Sequence, residues 1–232
     1  MKGSSVNLSK RLEAVKDTVK PCDVSLDIGC DHGYVSIALV KEKVAGKVIC
    51  LDINEGPLKA AQRNVCEAGV SDSIELRLSD GFEKVTADDK PDSVIIAGMG
   101  GRLTASILDG GKDIVKNLSQ LVLEPQSEIE VVRAKVRELG FHIEKEKFLT
   151  ERGKFYFIID AVPGRANSTG DEEFYDKYSK YLIETKDTGY KEYVLKSIEK
   201  FEGYQRSIKD VKNGDLMGKI EELKKVIDLI EK

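Results

Sequence analysis

The chain has no tryptophan, two histidines and five prolines, none of which lies beyond position 163. Its four cysteines (Cys22, Cys30, Cys50 and Cys66) form no C-x-x-C pair. With so few soft or imidazole ligands no metal site is expected, and the thiols read as buried and reduced. No apolar run approaches the roughly 20 residues of a membrane helix. The opening MKGSSVNLSKRLEAVKD lacks the apolar stretch of a secretory leader, so the expectation is a cytoplasmic protein with no membrane partner. An excess of positive charge is missing too: 37 Lys and Arg stand against 41 Asp and Glu, a net charge of −4. Overall charge therefore offers nothing in favour of nucleic acid. Internal repeats and low-complexity segments are absent.

What is present is a well-mixed globular chain. Its 232 residues, 41% of them apolar, suffice for a full core in one or two domains. Leu8, Leu12, Val15 and Val19 recur at helical spacing, so an amphipathic helix over residues 8–20 comes first and Pro21 ends it. Strands are expected over 24–28, 47–52, 73–78, 92–97 and 118–123. Helices are expected over 34–42, 57–68, 101–117 and 127–139, with a short piece near 81–85. Pro57 suits the first position of its helix, where a missing N–H costs nothing. Such alternation builds a mostly parallel sheet with helices on both faces. Residues 141–150 and 154–161 then read as two strands around Glu151-Arg152-Gly153, an antiparallel hairpin at the sheet edge. Residues 1–165 form the first expected domain. Residues 166–232 form a helical one, with breaks near Thr188-Gly189 and Asn213-Gly214. Leu216, Ile220, Leu223, Ile227 and Ile230 share one stripe of its last helix.

The chemistry concentrates at strand ends. Asp27-Ile28-Gly29-Cys30-Asp31-His32-Gly33 follows the first strand and opens a helix. A glycine-rich turn there lets backbone come close to a ligand at a helix N-terminus, although alone it also fits a structural turn. The dinucleotide pattern G-x-G-x-x-G is not met, which disfavours pyrophosphate. Asp52 ends the second strand, where a carboxylate accepts from both hydroxyls of a ribose. Asp80, in Ser79-Asp80-Gly81, follows the third and suits an exocyclic amine. Three acids after three successive parallel strands lie along one sheet edge, the edge where open α/β sheets bind ligands. Ala97-Gly98-Met99-Gly100-Gly101 ends the fourth strand with room for close approach.

An acid-x-Gly turn, an acid on strand two, an acid after strand three and a terminal hairpin resemble the Rossmann-like class I S-adenosylmethionine-dependent methyltransferases. Asp31 stands where their motif usually has its middle glycine. More narrowly, Leu8-Ser9-Lys10-Arg11-Leu12, the Asp27–Tyr34 stretch, Glu55-Gly56-Pro57, Ser79-Asp80-Gly81 and Ile96-Ala97-Gly98-Met99-Gly100-Gly101 together resemble the bacterial tRNA (adenine-22-N1)-methyltransferases over residues 8–165. Cys30 stands where that family commonly has Ser, and Glu124-Pro125-Gln126 where it has Gln-Pro-Asn.

The resemblance implies S-adenosyl-L-methionine as cofactor and N1 of a tRNA adenine as methyl acceptor. It implies that Asp27, Gly29, Cys30, Asp31, Gly33, Asp52, Ile53, Ser79, Asp80, Gly81, Ala97, Gly98 and Met99 hold the cofactor. Asp31 and His32 are the candidate catalytic residues, whereas His142 reads as structural. Lys10, Arg11, Gly100, Gly101, Glu124, Pro125 and Gln126 would meet the tRNA. Two basic clusters would serve its phosphates: Lys10, Arg11, Lys16 and Lys20 on the first helix, and Lys145, Lys147, Arg152 and Lys154 on the hairpin. A solvated face gives the same charge pattern, and the aromatic rows of the tail read as core. Three other readings share parts of this pattern: a small-molecule methyltransferase, a non-catalytic cofactor- or RNA-binding module, and an NAD enzyme.

Overall fold

The computed structural model describes residues 7–164, 170–207 and 214–232. Ser9 starts the first helix, α1 (Lys10–Lys16), by accepting the Leu12 N–H on its hydroxyl at 3.3 Å. Alternation then runs β1 (Cys22–Ile28), α2 (Tyr34–Lys41), β2 (Ala45–Asp52), α3 (Glu55–Ala68) and β3 (Ile74–Leu78). It continues through β4 (Ser93–Met99), α4 (Gly101–Gly110), α5 (Lys112–Val115), β5 (Gln120–Pro125) and α6 (Ile129–Glu138). β6 (Phe141–Glu151) and β7 (Lys154–Pro163) close one seven-stranded sheet in the order β3-β2-β1-β4-β5-β7-β6. Only β7 runs antiparallel to its neighbours β5 and β6.

Successive residues of the central strands point to opposite faces. Val94 and Ile96 therefore enter the core that holds Leu121 and Leu123, while Ile95 and Val122 enter the core under α1 and α2. Strand order reverses between β1 and β4, so a crevice opens beyond their carboxyl ends.

The hairpin turns on Arg152 and Gly153, both at positive φ (49° and 76°), with Glu151 opposite Lys154. Two left-handed residues match the right-handed twist of the strands they join. The last described pair with β5 is Leu123 opposite Ile159. Residues 154–158 thus run on past it by about 16 Å at roughly 3.3 Å per residue, on the crevice side of the sheet.

Three local expectations change. Pro57 is the third helical residue, not the first, because Asn54 takes the cap position. The helix expected over 101–117 is two helices broken at Gly111, where any Cβ would overlap the Phe82 ring. Residues 81–85 are turn, with Phe82 and Val85 buried, and a 3₁₀ turn follows at Ala87–Asp89.

The tail comprises α7 (Glu172–Lys177), α8 (Lys180–Glu184), α9 (Thr188–Ser207) and α10 (Gly214–Glu231). Asp187 accepts the Tyr190 N–H at 2.7 Å, which starts α9 at the expected break. The expected break at Asn213 and the domain boundary at 165/166 lie outside the described residues. Lys191–Glu231 and Lys224–Glu202 pairs, each 2.8 Å, hold α9 and α10 antiparallel. Tyr178, Tyr190, Val194 and Val226 pack with Phe148 and Phe157 of the hairpin in a third core. Val226, outside the expected stripe, is among its fully buried members, while Tyr204 of the aromatic rows is exposed. Among the described residues no helix is long and apolar enough to cross a membrane.

Candidate active site

The crevice is a cavity of about 510 Å³, within the range that holds a nucleoside-sized ligand. Its floor is the turn after β1. Gly29, Asp31 and Gly33 alternate at positive φ (75°, 49° and 69°), so the chain coils tightly there. Asp31 keeps the left-handed conformation of the glycine it replaces, which a short polar side chain tolerates. Gly29 donates to Leu51 O at 2.7 Å, and a Cβ on it would overlap Met99 Cε from across the cavity. Asp27 lies beneath the turn, 5% exposed, and its Oδ2 accepts from Ser36 Oγ at 2.5 Å. Burial pushes its carboxyl up to about 6 against that hydrogen bond. The neighbouring Cys50 and burial hold the Cys30 thiol well above the usual range, which favours its neutral form.

Asp52 and Asp80 face the same cavity from the next two strands. Asp52 takes the Asn54 N–H on Oδ1 at 2.8 Å, which leaves Oδ2 for a ligand. Ser79 donates to Gly81 O at 3.0 Å and accepts the Lys84 N–H at 3.1 Å, which shapes the turn that presents Asp80. Ile53, beside Asp52, is 62% exposed and lines the same wall. Asp31 and His32 are exposed at the mouth, 3.5 Å apart, and His32 stacks on Tyr34 with centroids 5.5 Å apart.

The opposite wall depends on a bulge. β4 and β5 pair Ala97 with Glu124 and Met99 with Pro125, so Gly98 (φ 82°) is left out of the ladder. Its N–H donates instead to Glu124 Oε2 at 2.9 Å. Glu124 is fully buried, and the same oxygen accepts from Arg11 Nη1 at 2.6 Å. Burial raises the Glu124 carboxyl while the Arg11 charge and these bonds lower it, and its Oε1 has no partner among the described residues. Gln126 lines the cavity and donates its N–H to Met99 O at 2.8 Å.

The expected cofactor residues thus line one cavity except Gly33, which is buried against Ala61 of α3, and the expected tRNA residues divide. Gly101 is buried, and a Cβ there would collide with Glu128 O, so its lack of a side chain serves the α4–α6 junction. Gly100 caps α4 beside Ser127. The first-helix basic cluster is largely neutralised within the protein. Lys16 pairs with Glu42 at 2.8 Å, Lys20 with Glu144 at 2.6 Å, and Arg11 turns inward to Glu124. Only Lys10 of the four has no ion pair within 4.0 Å among the described residues. The hairpin cluster differs: Lys145, Lys147, Arg152 and Lys154 are all exposed, with no such pair among the described residues. Sequence reasoning missed Tyr34, Leu103 and Ile107 as lining residues. Tyr34 had a signal, directly after the glycine turn. The α4 residues had none, because the helix's rotation is set by packing. His142 sits in β6, not among the cavity's lining residues, and its buried Nδ1 has no hydrogen-bond partner among the described residues. No group of metal-ligating side chains occurs among the described residues.

The methyltransferase-domain family matches residues 8–159, and the sheet order and crevice are those of its Rossmann-like class. The tRNA (adenine(22)-N(1))-methyltransferase of Bacillus subtilis is 33% identical over 168 residues, which cover 72% of this chain and 70% of the relative. Sp1610 of Streptococcus pneumoniae, solved in complex with S-adenosyl-L-methionine, superposes with a TM-score of 0.86 at 31% identity, covering 95% of this chain and 100% of that one. The solved B. subtilis m1A22 tRNA methyltransferase gives a TM-score of 0.81 at 26% identity, over 97% and 98% of the two chains. The chain belongs to the tRNA (adenine(22)-N(1))-methyltransferase family.

Proposed function

We propose that this protein transfers the methyl group of S-adenosyl-L-methionine to N1 of adenine 22 in tRNA, in the cytoplasm. The observation that carries the reading is the set of acids on three successive strand ends around one cavity at the sheet's reversal point. The cavity suits that cofactor. Asp52 fits its ribose hydroxyls, with Ile53 against the base, and Asp80 fits its exocyclic amine. Asp27 fits its ammonium, and the turn's positive-φ residues Gly29, Asp31 and Gly33 bring the backbone close to the cavity. Cys30, Ser79, Gly81, Ala97 and Met99 complete the cofactor's surroundings. The cofactor, when bound, supplies a methyl group on a sulfonium, an electrophile that needs no metal.

The residues then have little chemistry to catalyse and much to position. N1 of neutral adenine has a free lone pair, so no base is required, and alignment supplies much of the rate. Methylation leaves the base cationic. Asp31, at the cavity mouth, stabilises that developing charge, and His32 with Tyr34 offers a ring face on which an extruded base stacks. Gly98 and Gly100 leave room for the base edge, with Pro125 and Gln126 beside them. Lys10 and the four hairpin cations meet phosphates.

The test incubates the protein with methyl-labelled S-adenosylmethionine and unmodified tRNA, followed by nucleoside mass analysis. Labelled 1-methyladenosine, lost when adenine 22 is replaced, is the expected result. Label retained after that replacement would overturn the position. No transfer to any tRNA, despite cofactor binding, would favour a small-molecule methyltransferase or a non-catalytic module.

A further inference from the structure

The cavity is electrostatically lopsided. Asp27, Asp31, Asp52 and Asp80 line it, and against these four acids stands one Lys or Arg side chain among the described lining residues, Arg11. The cofactor required by the proposed function carries an α-carboxylate beside its ammonium. The acids suit the ammonium, amine and hydroxyls, and they repel the carboxylate. A carboxylate in such a cavity calls for N–H donors, and a charged guanidinium supplies the strongest of them.

Arg11 is built for an inward task. Its side chain is only 21% exposed, while the adjacent Lys10 points to solvent. One donor, Nη1, is committed to Glu124 Oε2 at 2.6 Å, and the guanidinium lies 5.7 Å from the Tyr156 ring centroid. Nε and Nη2 have no hydrogen-bond partner among the described residues, so a planar fork remains for a ligand. The group lies close to the bulge: a Cβ on Gly98 would sit 3.7 Å from Nη1. Glu124 binds the Gly98 N–H with the same oxygen, so a single carboxylate fixes both the guanidinium and the end of β4. Surface arginines that meet RNA phosphates need no such buried anchor.

We propose that Arg11 binds the α-carboxylate of the cofactor's amino-acid end and that Glu124 is the positioning residue that aims it. Arg11 is thereby separated from Lys10, with which the sequence groups it as a phosphate contact. The assignment rests on the proposed function only in taking the cofactor to be S-adenosylmethionine.

Calorimetry with two probes tests it. S-adenosyl-L-homocysteine carries the amino-acid end, and 5′-methylthioadenosine keeps the nucleoside and thioether without it. Arg11→Met should weaken S-adenosylhomocysteine 10- to 100-fold and leave methylthioadenosine within twofold. Arg11→Lys should recover part of the loss, and Glu124→Gln should weaken S-adenosylhomocysteine less than Arg11→Met does. Because Arg11→Met alone strands a buried carboxylate, the double variant Arg11→Met/Glu124→Gln is measured beside it and should show the same selectivity. Unchanged affinity for S-adenosylhomocysteine together with weakened tRNA binding would give Arg11 to the RNA and overturn the proposal. Equal weakening of both probes in the double variant would overturn it as well, since the side chain would then only shape the cavity. A wild-type protein that binds neither probe would instead remove the cofactor reading on which the proposal stands.

Discussion

Asp27 and Asp80 are the same side chain at the ends of two strands of one sheet, yet one is buried under the turn after β1 and the other is exposed. Their predicted behaviour differs accordingly. Burial raises Asp27 to about 6 from an ordinary 3.8. An acid raised in the folded state stabilises the fold below its unfolded value, and that contribution is lost as pH rises through the folded value. At pH 7.5 the buried charge therefore costs the cofactor-free protein about 2–3 kcal/mol. Asp27→Asn should raise its melting temperature by several degrees at pH 7.5, change it little near pH 4, and abolish S-adenosylhomocysteine binding. A melting temperature that does not rise at pH 7.5 would refute the buried charge. In the wild type, cofactor affinity should fall as pH drops through 6. Asp52→Ala should weaken the cofactor by at least tenfold with the fold intact, measured by calorimetry beside a thermal melt. The acids were legible from sequence because each lies within two residues of the carboxyl end of a strand. The inward turn of Arg11 was not legible, because its partner Glu124 lies 113 positions away.

At the scale of elements, the β6–β7 hairpin and α1 carry similar charge in the sequence and different charge in space. Lys16 and Lys20 are neutralised by Glu42 and Glu144, whereas the four hairpin cations are exposed, and Lys147, Arg152 and Lys154 lie on the extension past the pairs with β5. Replacing Lys145, Lys147, Arg152 and Lys154 by Gln should weaken tRNA binding and flatten its salt dependence, by roughly 0.7–0.9 in log–log slope for each phosphate that is no longer neutralised. The same change at Lys16 and Lys20 should leave that slope alone, and anisotropy titrations across a range of KCl would separate the two. A slope unmoved by the hairpin changes would exclude the hairpin from the interface. The α4–α6 junction makes a stability prediction of a different kind. Gly101→Ala puts a methyl group against the Glu128 carbonyl, backbone that cannot rotate away. A destabilisation of about 1–3 kcal/mol is expected from such overpacking, read from chemical denaturation. Helix 101–117 breaks where it does for a related reason: Gly111 alone admits the Phe82 ring, a contact that periodicity does not encode.

Across the whole molecule, one buried cluster ties the tail to the sheet. Arg133 of α6, 4% exposed, pairs with Glu146 of β6 at 2.6 Å and donates to the carbonyls of Asp176 and Lys177. Ser179 donates to the other Glu146 oxygen at 2.5 Å, and Arg137 pairs with Asp176. Breaking such a pair from one side strands a charge, so Arg133→Met should cost about 3–5 kcal/mol. Arg133→Met/Glu146→Leu should regain much of that stability in urea denaturation, because a well-packed apolar pair escapes the desolvation penalty. Failure of the double variant to recover would locate the cost in the broken hydrogen bonds to the two carbonyls. The tail shares a core with the hairpin through Phe148, Phe157, Tyr190 and Val226. That core and the Arg133–Glu146 cluster make the hairpin the common support of the tail and of the proposed RNA contacts.

Local chemistry was readable along the chain. Strand and helix differ in hydrophobic period, turns announce themselves through Gly, Asn and Pro, and acids after strands mark the binding edge of an α/β sheet. From those signals came the alternation, the terminal hairpin, the Asp27–Gly33 turn and the three carboxylates. Side-chain partnership was not readable. Arg11 with Glu124, Lys16 with Glu42, Arg133 with Glu146 and Phe82 with Gly111 are decided by how helices rotate and strands register when they pack. Period depends on neighbours a few positions apart, whereas a pairing depends on the position of the whole backbone. That is why the edge of the active site was visible in one dimension and the inward turn of Arg11 only in three.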